Sequence, residues 1–194
     1  MKVILAEKPS VAREIAAIVG ASEKQDGYLQ GNDYAVTWAL GHLVQLALPE
    51  AYGCVGFHRE HLPILPRPFI LVPKQIPEDK KGYRSDPMAL KQLKIIDSLF
   101  KKCSSIIVAT DAGREGELIF RYIYEYLHCQ KPFQRLWISS LTEKGIKTGL
   151  ANLQEGSAFD LLYASAQKRS EADWLVGINA TQALSIAVGE GIYS

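Results

Sequence analysis

Apolar and polar positions fall along the chain in blocks that predict strands and helices by turns. Val3, Ile4 and Leu5 form a continuous apolar run ending at Ala6, the pattern of a parallel strand buried on both faces. Glu7 closes that strand. Pro9 and Ser10 open a helix in which Val11, Ile15, Ile18 and Val19 recur at helical spacing, and Gly20 is placed to end it. Residues 28–30 and 34–39 flank Gly31, Asn32 and Asp33, which predicts two strands joined by a tight turn. Between residues 49 and 85 stand Pro63, Pro66, Pro68, Pro73 and Pro77. Their density disfavours helix and central strand alike and predicts an extended insertion on the surface, not a separate domain.

The regular alternation then resumes. Asp86 and Pro87 make an N-cap and first-turn pair for a helix with Leu90, Leu93, Ile96 and Phe100 on one face. Residues 106–109 read as a strand and 111–116 as a polar, glycine-bearing loop. Ile119, Tyr122, Ile123 and Tyr126 give helical periodicity to 118–127. A third unit has a strand at 135–138, Thr142 as cap and a helix at 146–153. Past Gly156 only helical spacing remains, through Leu161, Leu162, Ala166, Trp174, Leu175 and Ile178. The expected class is α/β: over residues 1–152 a Rossmann-like, mainly parallel sheet flanked by helices, then over 153–194 the start of an α-helical domain.

Composition narrows the function classes. A chain of 194 residues with 47% apolar side chains buries one good core and part of a second lobe. A net charge of +1 gives no global electrostatic footprint of a nucleic-acid partner, so any basic groove is local. Cys54, Cys103 and Cys129 are odd in number and widely spaced, which suits neither a disulfide framework nor a zinc site and predicts a reducing, cytoplasmic setting. The apolar start at 1–5 is too brief for a signal peptide and no later stretch is long enough to span a bilayer, so no membrane association is expected.

The candidate chemistry lies in acids at strand ends. Ligands of open parallel sheets bind beyond the carboxyl ends of the strands. Glu7 follows the first strand, Asp111 follows the strand at 106–109, and Glu115 and Glu117 come within the next turn and a half. Four carboxylates on one edge would repel one another unless a divalent cation neutralised them, and oxygen donors without His or Cys favour Mg²⁺. Lys8 adjoins Glu7 and Arg114 lies between Asp111 and Glu115, so a cation could hold a phosphate beside the metal. Gly113 and Gly116 relieve crowding where a phosphate would approach. Plainer readings compete: Asp111 as a helix cap, Glu115 and Glu117 as partners of a helix dipole, Lys8 as solvated surface, His42 as a satisfied polar group near a turn, and Tyr122 with Tyr126 as core. No Walker loop is present, and Glu7, Lys8 and Pro9 stand where a dinucleotide glycine fingerprint would, so no nucleotide cofactor is expected.

These residues also carry a resemblance. The opening Leu5, Ala6, Glu7, Lys8, Pro9, Ser10, Val11 and Ala12 resembles the start of the bacterial topoisomerase III family, of the type IA class. Residues 109–117 resemble the acidic motif of the TOPRIM fold shared by topoisomerases and primases. Residues 165–185, with Arg169, Ala172, Asp173, Trp174, Leu175, Gly177, Asn179 and Ala180, resemble the helical stretch that follows that fold. Gly41 with His42, and residues 139–142, extend the likeness over nearly the whole chain.

The resemblance implies an ATP-independent, Mg²⁺-dependent enzyme, monomeric when complete, acting on single-stranded segments of DNA. A tyrosine cleaves one strand and becomes linked to a 5′ phosphate, another strand passes, and the break is resealed. By the same resemblance Glu7, Asp111 and Glu115 form the metal and acid site, with Glu117 as a further ligand. Lys8 sits by the scissile phosphate. His42, Arg114, Arg169 and Asp173 lie near DNA, the last two on one helix face at a spacing of four. Two departures follow. Gly113 stands where many members carry a second aspartate, which favours a single, weakly held metal. The nucleophilic tyrosine belongs to a later domain, Tyr193 being in the wrong context, so this chain alone is expected not to cleave DNA. A primase or nuclease sharing the acids, or a non-catalytic phosphate-binding domain, are the alternatives; neither accounts for the segment at 165–185.

Overall fold

The computed structural model describes residues 1–78 and 82–189. Tyr193 therefore lies outside the described residues, as do the last positions of the predicted helical region and part of the proline-rich insertion. The strands are β1 (Lys2–Ala6), β2 (Glu23–Gln25), β3 (Tyr28–Gly31), β4 (Tyr34–Trp38), β5 (Val44–Leu46), β6 (Leu71–Pro73), β7 (Gln75–Pro77), β8 (Tyr83–Ser85), β9 (Ser105–Ala109), β10 (Phe133–Arg135) and β11 (Gln154–Glu155). The helices are α1 (Pro9–Val19), α2 (Pro87–Lys102), α3 (Arg114–Tyr126), α4 (Glu143–Ala151) and α5 (Asp160–Val188).

Seven strands form the main sheet in the order β11-β10-β9-β1-β4-β3-β2. Its centre is parallel: β1 lies between β4 and β9, and β10 continues from β9. The edges turn antiparallel, through β3 and β2 on one side and β11 on the other. The sheet is thus mixed, with a parallel centre where the strand-helix alternation predicted one.

The apolar run of β1 is divided between two cores. Val3 and Leu5 pack with Leu93, Ile96 and Phe100 of α2 and with Ile119, Phe120 and Ile123 of α3. Ile4 and Ala6 pack on the opposite face with Val11, Ile15 and Val19 of α1 and Ile146 of α4. All four β1 residues are fully buried, as a central strand of a three-layer α/β domain must be. Tyr122 joins the first core, in keeping with its plain reading.

Local chemistry explains the element ends. Gly20 caps α1 in the left-handed region at φ 78°. Asn32 and Asp33 turn the β3-β4 hairpin at φ 48° and 64°, and the Asn32 amide also donates to the Val19 carbonyl at the end of α1. Asp86 caps α2 by accepting from the Met88 amide. Thr142 caps α4 through the Gly145 amide.

The insertion is more ordered than its prolines predict. It folds into short 3₁₀ turns and the β7-β8 ribbon, and its β6 pairs with β5 just before it. Helix α5 packs against α3 and is fastened to the insertion. The Asn179 side chain accepts from the Ile64 amide and donates to the Ile64 carbonyl, and Trp174 donates to the Ala47 carbonyl just ahead of the insertion. No helix among the described residues is long and apolar enough to cross a membrane.

Candidate active site

Parallel strands β4, β1 and β9 stand side by side, so their carboxyl ends deliver His42, the Glu7-Lys8 pair and the loop from Asp111 to one edge. The chain runs from β1 out to β4, then returns past β1 to β9. That reversal opens a switch point between β1 and β9, the place where such sheets bind ligands. Glu7 and Asp111 meet there: the Glu7 carboxylate accepts from the Asp111 amide at 3.1 Å.

Above this edge lies a cleft of about 760 Å³. One wall is the β9-α3 loop with Asp111, Gly113, Arg114 and Glu115; His42 stands beside it, and α5 supplies Arg169, Ser170 and Asp173 opposite. Six residues singled out in the sequence thus line one cleft: His42, Asp111, Arg114, Glu115, Arg169 and Asp173. Glu7 and Lys8 adjoin it through Asp111, Lys8 by an ion pair at 3.8 Å. His42 Nε2 meets Glu115 Oε1 at 2.5 Å, and Arg169 faces Asp173 at 3.6 Å on one side of α5. These pairs are largely exposed, so each adds little to stability.

Glu117 does not join the other acids. It is fully buried in the first turn of α3, and both oxygens are engaged, one by Arg121 at 2.8 Å and one by Arg135 at 3.0 Å. The expectation of a fourth carboxylate in the cleft is corrected on that geometry: a side chain two positions after the exposed Glu115 turns toward the core. Burial pushes the Arg135 guanidinium below its ordinary value, and Glu117 opposes that shift. Burial also works to lower Arg121, but its bonds to Asp160 and Glu117 prevail and raise it.

The donors of Glu7, Asp111 and Glu115 are all oxygens, the chemistry a hard divalent cation takes. Their arrangement is more restrictive. Among the described residues no group of three or more His, Cys, Asp or Glu side chains is placed to hold a metal ion, and each of the three acids is met by a donor of its own chain. Mg²⁺ fits such a site as an ion held by one or two carboxylates and completed by phosphate oxygens.

Some residues that shape the site carried no obvious signal in the sequence. The strand pattern marks Arg135 only as a first strand position, and nothing in the sequence distinguishes Arg121 or Ser170. Arg135 is the one fully buried residue of β10, whose Phe133 and Gln134 are half-buried, and a single charge on so short a strand carries no sign of its burial.

The fold and the cleft define a Rossmann-like α/β domain with acids and cations gathered at the carboxyl edge of its sheet. The chain belongs to the Toprim domain family, whose model matches residues 2–141. It is 52% identical over 186 residues to the DNA topoisomerase 3 of Bacillus thuringiensis (strain Al Hakam), covering 94% of this chain and 24% of that protein. It is 47% identical to the DNA topoisomerase 3 of Shouchella clausii (strain KSM-K16), over 95% of this chain and 24% of the relative. The chain therefore spans about a quarter of the length of these relatives. In fold it is similar to full-length topoisomerase I from Thermotoga maritima, with a TM-score of 0.60 at 22% identity, covering 94% of this chain and 26% of that one.

Proposed function

We propose that the chain is the metal- and phosphate-handling part of a type IA DNA topoisomerase, an enzyme that relaxes or decatenates DNA by transient cleavage of one strand. The observation that carries the reading is the cleft between the acidic loop and α5, which Asp111, Arg114, Glu115, His42 and Arg169 line together. The identity of about half to the Bacillus and Shouchella topoisomerases over nearly the whole chain supports it.

In this reading one Mg²⁺ would be held by one or two carboxylates drawn from Glu7, Asp111 and Glu115, with phosphate oxygens completing its shell, and when bound it would supply charge neutralisation at a phosphate. Lys8 leaves its ion pair with Asp111 to contact the scissile phosphate, and its ammonium stabilises charge there. Arg114 and Arg169 bind flanking phosphates of a single-stranded segment, while Asp173 orients Arg169. His42 donates from the rim of the cleft. No nucleotide cofactor takes part. The attacking tyrosine comes from outside the matched quarter of the longer relatives, so this chain alone forms no covalent adduct with DNA. The complete enzyme works as a cytoplasmic monomer.

The test is a Mg²⁺ titration followed by amide chemical shifts, on the wild type and on a Glu7→Gln, Asp111→Asn variant, with and without a short single-stranded oligonucleotide. Shifts at residues 7, 111 and 115 that strengthen with oligonucleotide and vanish in the variant are expected. Silence of the wild type in both conditions would sink the metal-dependent mechanism.

A further inference from the structure

We propose that Arg135, held by Glu117, is a positioning residue whose guanidinium fork fixes where Asp111 stands in the cleft. Both side chains are fully buried, and Arg135 heads the fully buried side chains by volume. An apolar pair of similar volume would fill such a core at least as well, because desolvating two charges offsets most of their attraction. What an apolar pair could not do is bind backbone. Arg135 Nη1 donates to the carbonyls of Val108 at 3.2 Å and Thr110 at 2.7 Å, and Nη2 donates to that of Asp111 at 2.9 Å. The fork thus grips the chain where β9 ends and the acidic loop begins.

Glu117 aims the fork, accepting from Arg135 Nε with one oxygen and from Arg121 Nε with the other. Arg121 in turn donates to the Gly156 carbonyl at 3.0 Å and to Asp160 at 2.6 Å. Asp160 is the first residue of α5, and Arg169 stands about 13 Å further along that helix at its regular rise. One run of charges therefore ties the Asp111 wall of the cleft to the Arg169 wall. It also keeps the Asp111 amide within reach of Glu7.

The informative variant is Arg135→Lys, which keeps the charge opposite Glu117 but cannot span several carbonyls at once. Amide hydrogen exchange gives a readout that does not depend on any metal. The expected result is exchange of the Asp111 amide at least about tenfold faster, with the core amides of β1 unchanged. A second arm rests on the functional reading above: Mg²⁺ affinity in the presence of oligonucleotide should fall about 10- to 100-fold, the usual effect of losing a residue that orients ligands. If Arg135→Lys fails to fold, a Glu117→Met, Arg135→Met double variant restores an apolar filling without the fork and is read in the same way. Wild-type exchange at Asp111 in the folded variant overturns the proposal and leaves Arg135 as charge balance only. A wild-type protein silent to Mg²⁺ overturns the metal reading instead, and the exchange arm still decides the role of Arg135.

Discussion

Gly116→Ala separates local propensity from tertiary geometry, because the two predict opposite signs. In the first turn of α3, alanine should be favoured over glycine by up to about 1 kcal/mol on helix propensity. In the structure a Cβ at this position would fall on the Asp111 carbonyl oxygen and meet the Asp111 carbonyl carbon and nitrogen at 2.9 Å each. Those are backbone atoms, and the same carbonyl accepts from Arg135, so the loop cannot yield without losing that bond. Overpacking costs about 1–3 kcal/mol, and a lost hydrogen bond to a charged group costs about 1.5–3 kcal/mol. Set against the propensity gain, the expected loss is about 3 kcal/mol. In urea, with a slope of about 2 kcal/mol per molar, the midpoint should fall by about 1.5 M. Gly113→Ala is the control: its Cβ meets nothing within 4 Å, its φ of 169° is ordinary extended backbone, and its midpoint should move by less than about 0.5 kcal/mol equivalent. If Gly116→Ala proves as stable as the wild type or more so, the close approach of α3 to the acidic loop is wrong.

Replacing Arg114 and Arg169 together by alanine should weaken binding of a single-stranded oligonucleotide and flatten its salt dependence by about 0.7 per lost phosphate contact, measured by fluorescence anisotropy across a salt series. Asp86→Ala should cost about 1 kcal/mol through loss of the α2 cap, with a matching drop in the urea midpoint. Asn179→Ala leaves the Ile64 amide and carbonyl without their partner and should cost about 1–3 kcal/mol, while leaving the Asp111 amide exchange rate unchanged. Burial pushes the Cys103 and Cys129 thiols up, so the folded chain holds those protons more tightly than the unfolded one. Their stabilisation is full below the ordinary thiol range and is lost as pH rises through the raised values. Urea midpoints should therefore decline above about pH 9, and a Cys103→Ala, Cys129→Ala variant should decline less.

Elements whose burial matches one clean period were legible from sequence. The continuous run of β1, the helical stripes of α1 and α2, and the caps at Asp86 and Thr142 all stand where composition placed them. Strand β2 was not legible, because its three residues are all exposed and carry no pattern. Helix α3 begins at Arg114, four residues before its apolar periodicity, since its first turn is polar. The predicted strand at 135–138 moves to Phe133–Arg135, and Leu136 adds only a single bond to the Val108 carbonyl. In the site, strand ends were enough to group Glu7, Asp111, Arg114 and Glu115, whereas Arg169 and Asp173 were reached only through the family resemblance. Glu117 misled because an acid in the first turn of a helix usually faces solvent or the dipole. Its partner Arg135 lies 18 residues away, on a strand where one positive charge gives no warning that it is buried.

The order of strands also constrains the time course of folding. Strand β1 pairs with β9 across about a hundred residues of intervening chain, and pairings of such high contact order form slowly because loop closure precedes their reward. During synthesis from the N-terminus, β1, α1 and β4 assemble first. One hydrogen-bonding edge of β1 then stays open until Ser105–Ala109 emerges, the kind of unpaired edge that invites association with other chains. Glu7 acquires its bond to the Asp111 amide only when that edge closes, so the acidic edge comes into being only once β9 has joined β1.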